Sequence, residues 1–234
     1  MSHTRAPRLI RRLFRTAVLC AVLAVFVLLF WRMCSSGLPA EMKNLAINDR
    51  LREAYAQTGD KLILRHQKQD SITRAPESYG YFSVERCVFI PEAEQVQIVF
   101  RYNNSTLIHL AQDKELDAIP EKSGVWFDVT LVRTTDLTPD DPDDNSDPYT
   151  RREDRFHASG EPIRTETSLY TYFLYTFDGI TVDDLTDGVF VDVYYLGDLD
   201  YSASPYGALC IYDSESEWVS DRLTAVDRRA LAGS

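Results

Sequence analysis

The sequence predicts a mainly β protein: an antiparallel β-sandwich preceded by a single transmembrane helix and flanked by short helices. Three observations carry that reading. The run from Thr16 to Trp31 is apolar and holds no charge. From Tyr79 onward apolar residues recur with a period of two, which places alternate side chains on opposite faces of a sheet. The strand-like stretches are separated by turn dipeptides rather than long helices, which disfavours an alternating α/β chain. The chain divides accordingly into a basic N-terminus (1–15), a membrane span (16–33), a juxtamembrane helix and linker (34–78), the β domain (79–213, with an acidic insertion at 136–155) and a C-terminal helix and tail (214–234).

The run TAVLCAVLAVFVLLFW rises about 24 Å as a helix, short of the roughly 30 Å hydrocarbon core of a bilayer. Extended from Leu13 to Met33 it rises about 31 Å. Arg15 and Arg32 then snorkel to the two interfaces, and Trp31 joins the interfacial belt. A cleaved signal peptide shares the basic start and apolar core. Leu38-Pro39-Ala40, however, puts a large residue and a proline where a cleavage site needs small ones. The expectation is an uncleaved signal anchor in contact with the lipid bilayer.

Arg5, Arg8, Arg11, Arg12 and Arg15 precede the span, and no acidic residue occurs before Glu41. Excess positive charge stays cytoplasmic. The expected location is therefore the plasma membrane, single-pass, with the N-terminus inside and residues 34–234 extracytoplasmic. Six of the 25 Lys and Arg lie at or before Arg32, leaving 19 against 36 acidic residues, a formal −17. Such a domain repels phosphate, so no nucleic-acid partner is expected.

Past the span, Ser35 to Pro39 breaks the helix and Pro39 suits the first turn of a new one. Gly59 can stop it, and Ile47, Leu51, Ala54 and Tyr55 recur between them at helical spacing. That face is expected to pack on the chain's own domain or to belong to a stalk; a membrane surface or a second copy is the alternative. His66 to Ser78 reads as a polar loop. Phe82, Val84, Val88 and Ile90 then share one strand face, interrupted by Arg86. Val96, Ile98, Phe100 and Tyr102 alternate with Gln95, Gln97, Val99 and Arg101 up to the Asn103-Asn104-Ser105 turn.

Leu107 to Ile119 is ambiguous in its spacing, with a short helix stopped by Pro120 as one reading. Phe127, Val129 and Leu131 face a core, opposite Trp126, Asp128 and Thr130. After the insertion, Leu169 to Tyr175 is aromatic on both faces and so central. Val189, Val191, Val193 and Tyr195 form the next strand, and Ala208 to Tyr212 the last. In the tail, Ser214-x-x-Glu217 reads as a capping box, with Val219, Leu223, Val226 and Ala230 on one helix face. Six strands rich in Val, Tyr and Phe indicate two packed sheets, with a barrel as the alternative. The immunoglobulin or fibronectin arrangement is an analogy at the level of architecture, because the Cys…Trp…Cys spacing is absent.

Cys20 lies within the span and Cys34 just beyond it. Cys87 and Cys210 fall in strands, where an oxidising compartment permits a disulfide if their Cα atoms come within about 7 Å. No C-x-x-C spacing for zinc occurs. In the insertion, Asp141, Asp143, Asn145 and Asp147 have the alternate spacing of calcium ligands. Ser146 stands where that loop needs glycine, Arg152 where it needs a bidentate glutamate, and three prolines favour an extended chain. No cofactor is therefore expected, with calcium as the alternative.

His66, His109 and His157 are scattered and no nucleophile elbow or phosphate loop occurs. Asp183-Asp184 reads as a turn. Trp126, Tyr170, Tyr172 and Tyr194, beside Asp128 and Asp192, have the rigid apolar area and polar tips of a surface for a glycan or a protein. Core tyrosines chosen for strand propensity are the competing explanation. The expected function is a membrane-anchored extracytoplasmic binding or interaction module. The alternatives are an anchored carboxylate-dependent hydrolase and a calcium-dependent adhesion module.

Overall fold

The charge-free run belongs to one long helix, α1 (Ala6–Ser36), that starts ten residues before it. Arginine is a good helix former and Pro7 sits in the first turn, where its missing N–H is not needed, so the basic flank is helical too. A computed structural model describes residues 6–67, 82–134, 152–185, 188–212 and 216–233. They separate at Leu38/Pro39 into two compact units. In the first, Phe14–Trp31 is long and apolar enough to cross a membrane, with none of it buried.

The second unit holds two antiparallel sheets. One is six-stranded, in the order β10 (Trp218–Asp221), β1 (Leu64–Gln67), β2 (Phe82–Ile90), β3 (Gln95–Asn103), β7 (Tyr170–Asp178), β6 (Ile163–Glu166). The other runs β5 (Arg152–His157), β4 (Phe127–Thr134), β8 (Gly188–Tyr195), β9 (Gly207–Tyr212). Buried side chains of both sheets belong to one cluster, including Val96, Ile98, Phe100 and Tyr102 from β3 and Phe127, Val129 and Leu131 from β4. Phe82 and Phe127 bring the two sheets together edge to face, with ring centroids 5.1 Å apart.

Strand β2 departs from the expected alternation. Val84 pairs with Phe100 and Arg86 with Val99, so Glu85 is an extra residue in a bulge. Phe82, Val84, Cys87 and Phe89 therefore enter the shared cluster, whereas Val88 and Ile90 turn to the opposite face with Arg86. There they meet Leu45, Leu51, Ala54, Leu62, Leu64, Leu223 and Leu231 in a second cluster. The bulge is held from outside by Glu85 Oε1, 2.8 Å from Arg101 Nε.

The segment after Pro39 makes only a short turn (Ala40–Lys43) before α2 (Asp49–Thr58). The helix starts late because Gln97 on β3 holds the extended backbone at Ala46, accepting its N–H and donating to its carbonyl, both at 2.8 Å. Asn48 then caps α2 by accepting from Leu51 N, and Gly59, at φ +57°, ends it. Leu51 and Ala54 are buried on the chain's own domain, as the packing expectation had it. α3 (Thr106–Asp113) occupies the ambiguous segment ahead of Pro120.

Three expectations are corrected. His66 belongs to β1 rather than to a loop, paired with Val88 of β2 on one side and with Val219 of β10, far along the chain, on the other. Trp218–Asp221 is that strand, not the start of a helix. The C-terminal helix α4 (Ala225–Ala232) begins instead at a Thr224/Asp227 capping box and buries Asp227 and Leu231, leaving Val226 and Ala230 exposed. The insertion ends earlier than expected, since Arg152–His157 pairs with β4 as β5.

His66 Nε2 lies 2.9 Å from Asp221 Oδ2 across the β1–β10 pair. Burial and the Arg86 guanidinium lower its pKa below the ordinary 6.5, outweighing Asp221 and Asp227, which raise it. The folded state thus disfavours the proton, so stability is present above pH 6.5 and falls as pH drops below it. Urea titrations at stepped pH values should show this loss in the wild type, and His66→Gln should flatten it. An unchanged profile in the variant would assign the acid sensitivity to other groups.

Candidate functional site

The connection from β8 to β9 runs from Leu196 to Tyr206, longer than hairpin loops usually are. It is fixed from within. A tight turn covers Leu196–Asp198, and Asp200 Oδ1 accepts from Ser202 N (2.9 Å) and Ser202 Oγ (2.6 Å). These bonds hold the Asp200 carboxyl below the usual carboxylate range. Tyr201 pins the loop to the four-stranded sheet.

Strand register explains what Tyr201 meets. Asp128 lies opposite Tyr194 and Thr130 opposite Asp192, while Thr130 and Val132 face His157 and Arg155 on β5. All of these therefore share the outer face of the sheet. Tyr201 OH donates to Asp128 Oδ2 at 2.7 Å, and its ring lies edge-on to Tyr194 (5.2 Å) and His157 (5.0 Å). Its phenol is pushed up to about 12 by desolvation and by Asp128. Beneath it, Arg155 Nη1 donates to Tyr194 OH at 2.6 Å, and Tyr194 OH donates to the fully buried Asp192 at 3.2 Å. Burial raises the Tyr194 pKa against the opposing Arg155 bond, keeping that phenol a donor.

The other side of the loop forms one wall of a cleft of about 360 Å³ whose opposite wall is the end of α3. Tyr206 stacks on Phe127 (5.9 Å between centroids, 21° between planes) and donates its hydroxyl to Asp113 Oδ2 at 2.7 Å. The Lys114 ammonium bonds the Asp198 carboxylate and lies 5.7 Å from the centroid of the Tyr195 ring. Phe82 closes the inner end. The cleft thus combines tyrosine rings held by packing with three carboxylates and one ammonium at its rim. Such a set suits non-covalent recognition through rings and charge.

The four aromatics expected on one open face are divided by the structure. Tyr170 and Tyr172 belong to the six-stranded sheet, where Arg101 lies 4.1 Å from the Tyr170 centroid and Tyr172 is fully buried. Trp126 and Tyr194 accompany the other sheet. Trp126 is half-buried and donates Nε1–H to Glu121 O at 2.7 Å, and Tyr194 is buried. Only Tyr194 borders the cleft. Period-two spacing identifies a shared face within a strand but cannot show that a loop or a second sheet covers it.

Cys87 lies on β2 opposite Ile98 and Cys210 on β9 opposite Phe190, in different sheets, and no disulfide joins them. Cys210 Sγ donates to Tyr212 O at 3.5 Å, and burial pushes the Cys87 thiol up to about 12. Asp141, Asp143, Asn145 and Asp147 lie outside the described residues. Among the described residues no three His, Cys, Asp or Glu side chains converge as metal ligands. Asp184 of the Asp183-Asp184 pair bonds Arg133 (2.9 Å) and Thr181, which ties down a turn. Tyr195, Tyr206, Asp113, Lys114 and Asp198 escaped sequence reasoning. The one available signal was the length of LGDLDYSASPY between two confident strands, since long ordered loops on a rigid scaffold often carry function. No protein-family model matches the chain, and comparison with curated proteins and with solved structures gave no significant match.

Proposed function

We propose that the chain is a single-pass, membrane-anchored binding module whose β domain lies outside the cytoplasm and engages its partner through the cleft beside the β8–β9 loop. The observation that carries the binding part is the cleft itself: Tyr206 and Tyr195 line it with their rings already restrained, so little side-chain freedom is lost on contact. The arginine cluster before Phe14–Trp31 supports the orientation. We read the two sheets as the layers of a β-sandwich, supported by the side-chain cluster they share. An immunoglobulin or fibronectin strand order is not part of that reading.

Orientation is tested with an enzyme reporter fused after Ser234 that is active only outside the cytoplasm. The fusion is expected to be active, and protease added to intact cells should remove the β domain. A reporter active only in its cytoplasmic form, with the domain protected, would refute the proposed side of the membrane.

A further inference from the structure

We propose that this cleft receives a basic side chain, the ammonium or guanidinium of a lysine- or arginine-rich polypeptide; the proposal rests on the binding-module reading and names its ligand class. A volume of about 360 Å³ suits a side chain with its flanking backbone rather than a folded element. The cleft already shows how it holds such a group. The Lys114 ammonium is bonded to Asp198 with the Tyr195 ring 5.7 Å away, inside the range in which a ring face attracts a cation. The chain's own lysine thus occupies the geometry that an incoming lysine or arginine would take.

Asp113 and Asp200 provide further carboxylates at the same cleft, and both are positioned. Tyr206 OH fixes Asp113, and Ser202 fixes Asp200 and keeps it ionised. Each retains acceptor capacity beyond these bonds, because a carboxylate offers about four lone-pair sites. Three carboxylates against one ammonium disfavour an anionic ligand, and the formal −17 of the chain beyond Arg32 draws a polycation toward the domain. Lys114 then acts as an internal competitor, and its removal should open the site.

The test uses the full chain in nanodiscs of zwitterionic phosphatidylcholine, at about 0.15 M salt to screen diffuse attraction. Binding of a fluorescein-labelled hexa-arginine peptide is followed by anisotropy, with hexaglutamate as the opposite charge. Saturable binding of the basic peptide alone is expected. Asp198→Asn and Tyr195→Leu should each weaken it about tenfold, Tyr195→Phe should not, and Lys114→Ala should tighten it. Asp49→Asn, the same charge change on α2 away from the cleft, should leave it unaltered. Melting curves of each variant separate lost binding from lost fold.

Equal weakening by Asp49→Asn and Asp198→Asn would overturn the proposal in favour of general attraction to an acidic surface. So would absence of saturable binding, preference for hexaglutamate, or weaker binding by Lys114→Ala. A reporter that places the domain inside the cell, together with the Asp198 and Tyr195 pattern, would keep the ligand class and reject the extracytoplasmic reading.

Discussion

Phe82→Ala is expected to destabilise the β domain by about 3–5 kcal/mol, the cost of truncating a buried phenylalanine and leaving a cavity. For a domain of this size that lowers the melting temperature by roughly 10 °C. The position is unusually coupled. The Phe82 ring packs on Phe100 of its own sheet (5.5 Å), on Phe127 of the other (5.1 Å) and on Tyr206 at the cleft (6.0 Å). A Cβ on Gly207 would come within 2.6 Å of the same ring, so the backbone of β9 is seated directly against it. Phe82→Leu, which keeps most of the volume, should cost under about 1.5 kcal/mol. Near-ultraviolet circular dichroism of the heated protein measures both. A drop of only a degree or two for the alanine variant would mean that the sheets do not depend on this contact.

Asp227→Ala should produce the second large loss, about 2–4 kcal/mol, and a localised one. Asp227 is buried beside the second cluster. Its Oδ1 accepts from Leu45 N at 2.9 Å, and its Oδ2 accepts from Thr224 N (3.2 Å) and Thr224 Oγ1 (2.7 Å). It also offsets the nearby Arg86 guanidinium, whose pKa burial lowers. Alanine leaves the Leu45 N–H without its acceptor, breaks the capping box of α4 and removes a charge opposing Arg86. Hydrogen exchange should therefore show α4 and residues 42–46 losing protection first, while β3 and β7 retain theirs. Asp227→Asn keeps one acceptor and should fall between. Uniform loss of protection across both sheets would contradict the local-staple account.

The strands legible in advance were those with an unbroken alternation on their inward face, although the other faces of β3 and β8 are buried too. β3, β4 and β8 were read with the correct inward residues because their alternation runs unbroken from Val96 to Tyr102, Phe127 to Leu131 and Val189 to Tyr195. β2 misled because one inserted residue, Glu85, reverses the parity of everything after it, and both resulting faces are apolar. The short strands β1 and β10, four residues each, are too short to show a period. The helix face assigned to the tail failed for a related reason: Val219 and Val226 match helical spacing, yet the first lies in a strand and the second points to solvent. The cleft was the least legible, because Lys114 and Asp198 are brought together by loop geometry, and no spacing in the chain relates them.

The bulge at Glu85 makes β2 a wall shared between two cores, with Phe82, Val84, Cys87 and Phe89 on one side and Val88 and Ile90 on the other. Changes in the volume of α4 or the segment around Leu45 must be matched at Val88 and Ile90, whereas changes in the four-stranded sheet must be matched at the other four. Close packing on both sides leaves little slack for either set to answer for the other. In diverging copies of this chain, covariation along one short strand should therefore fall into two independent groups, Phe82, Val84, Cys87 and Phe89 in one and Val88 and Ile90 in the other. The pairs on opposite sides would drift apart freely despite being chain neighbours.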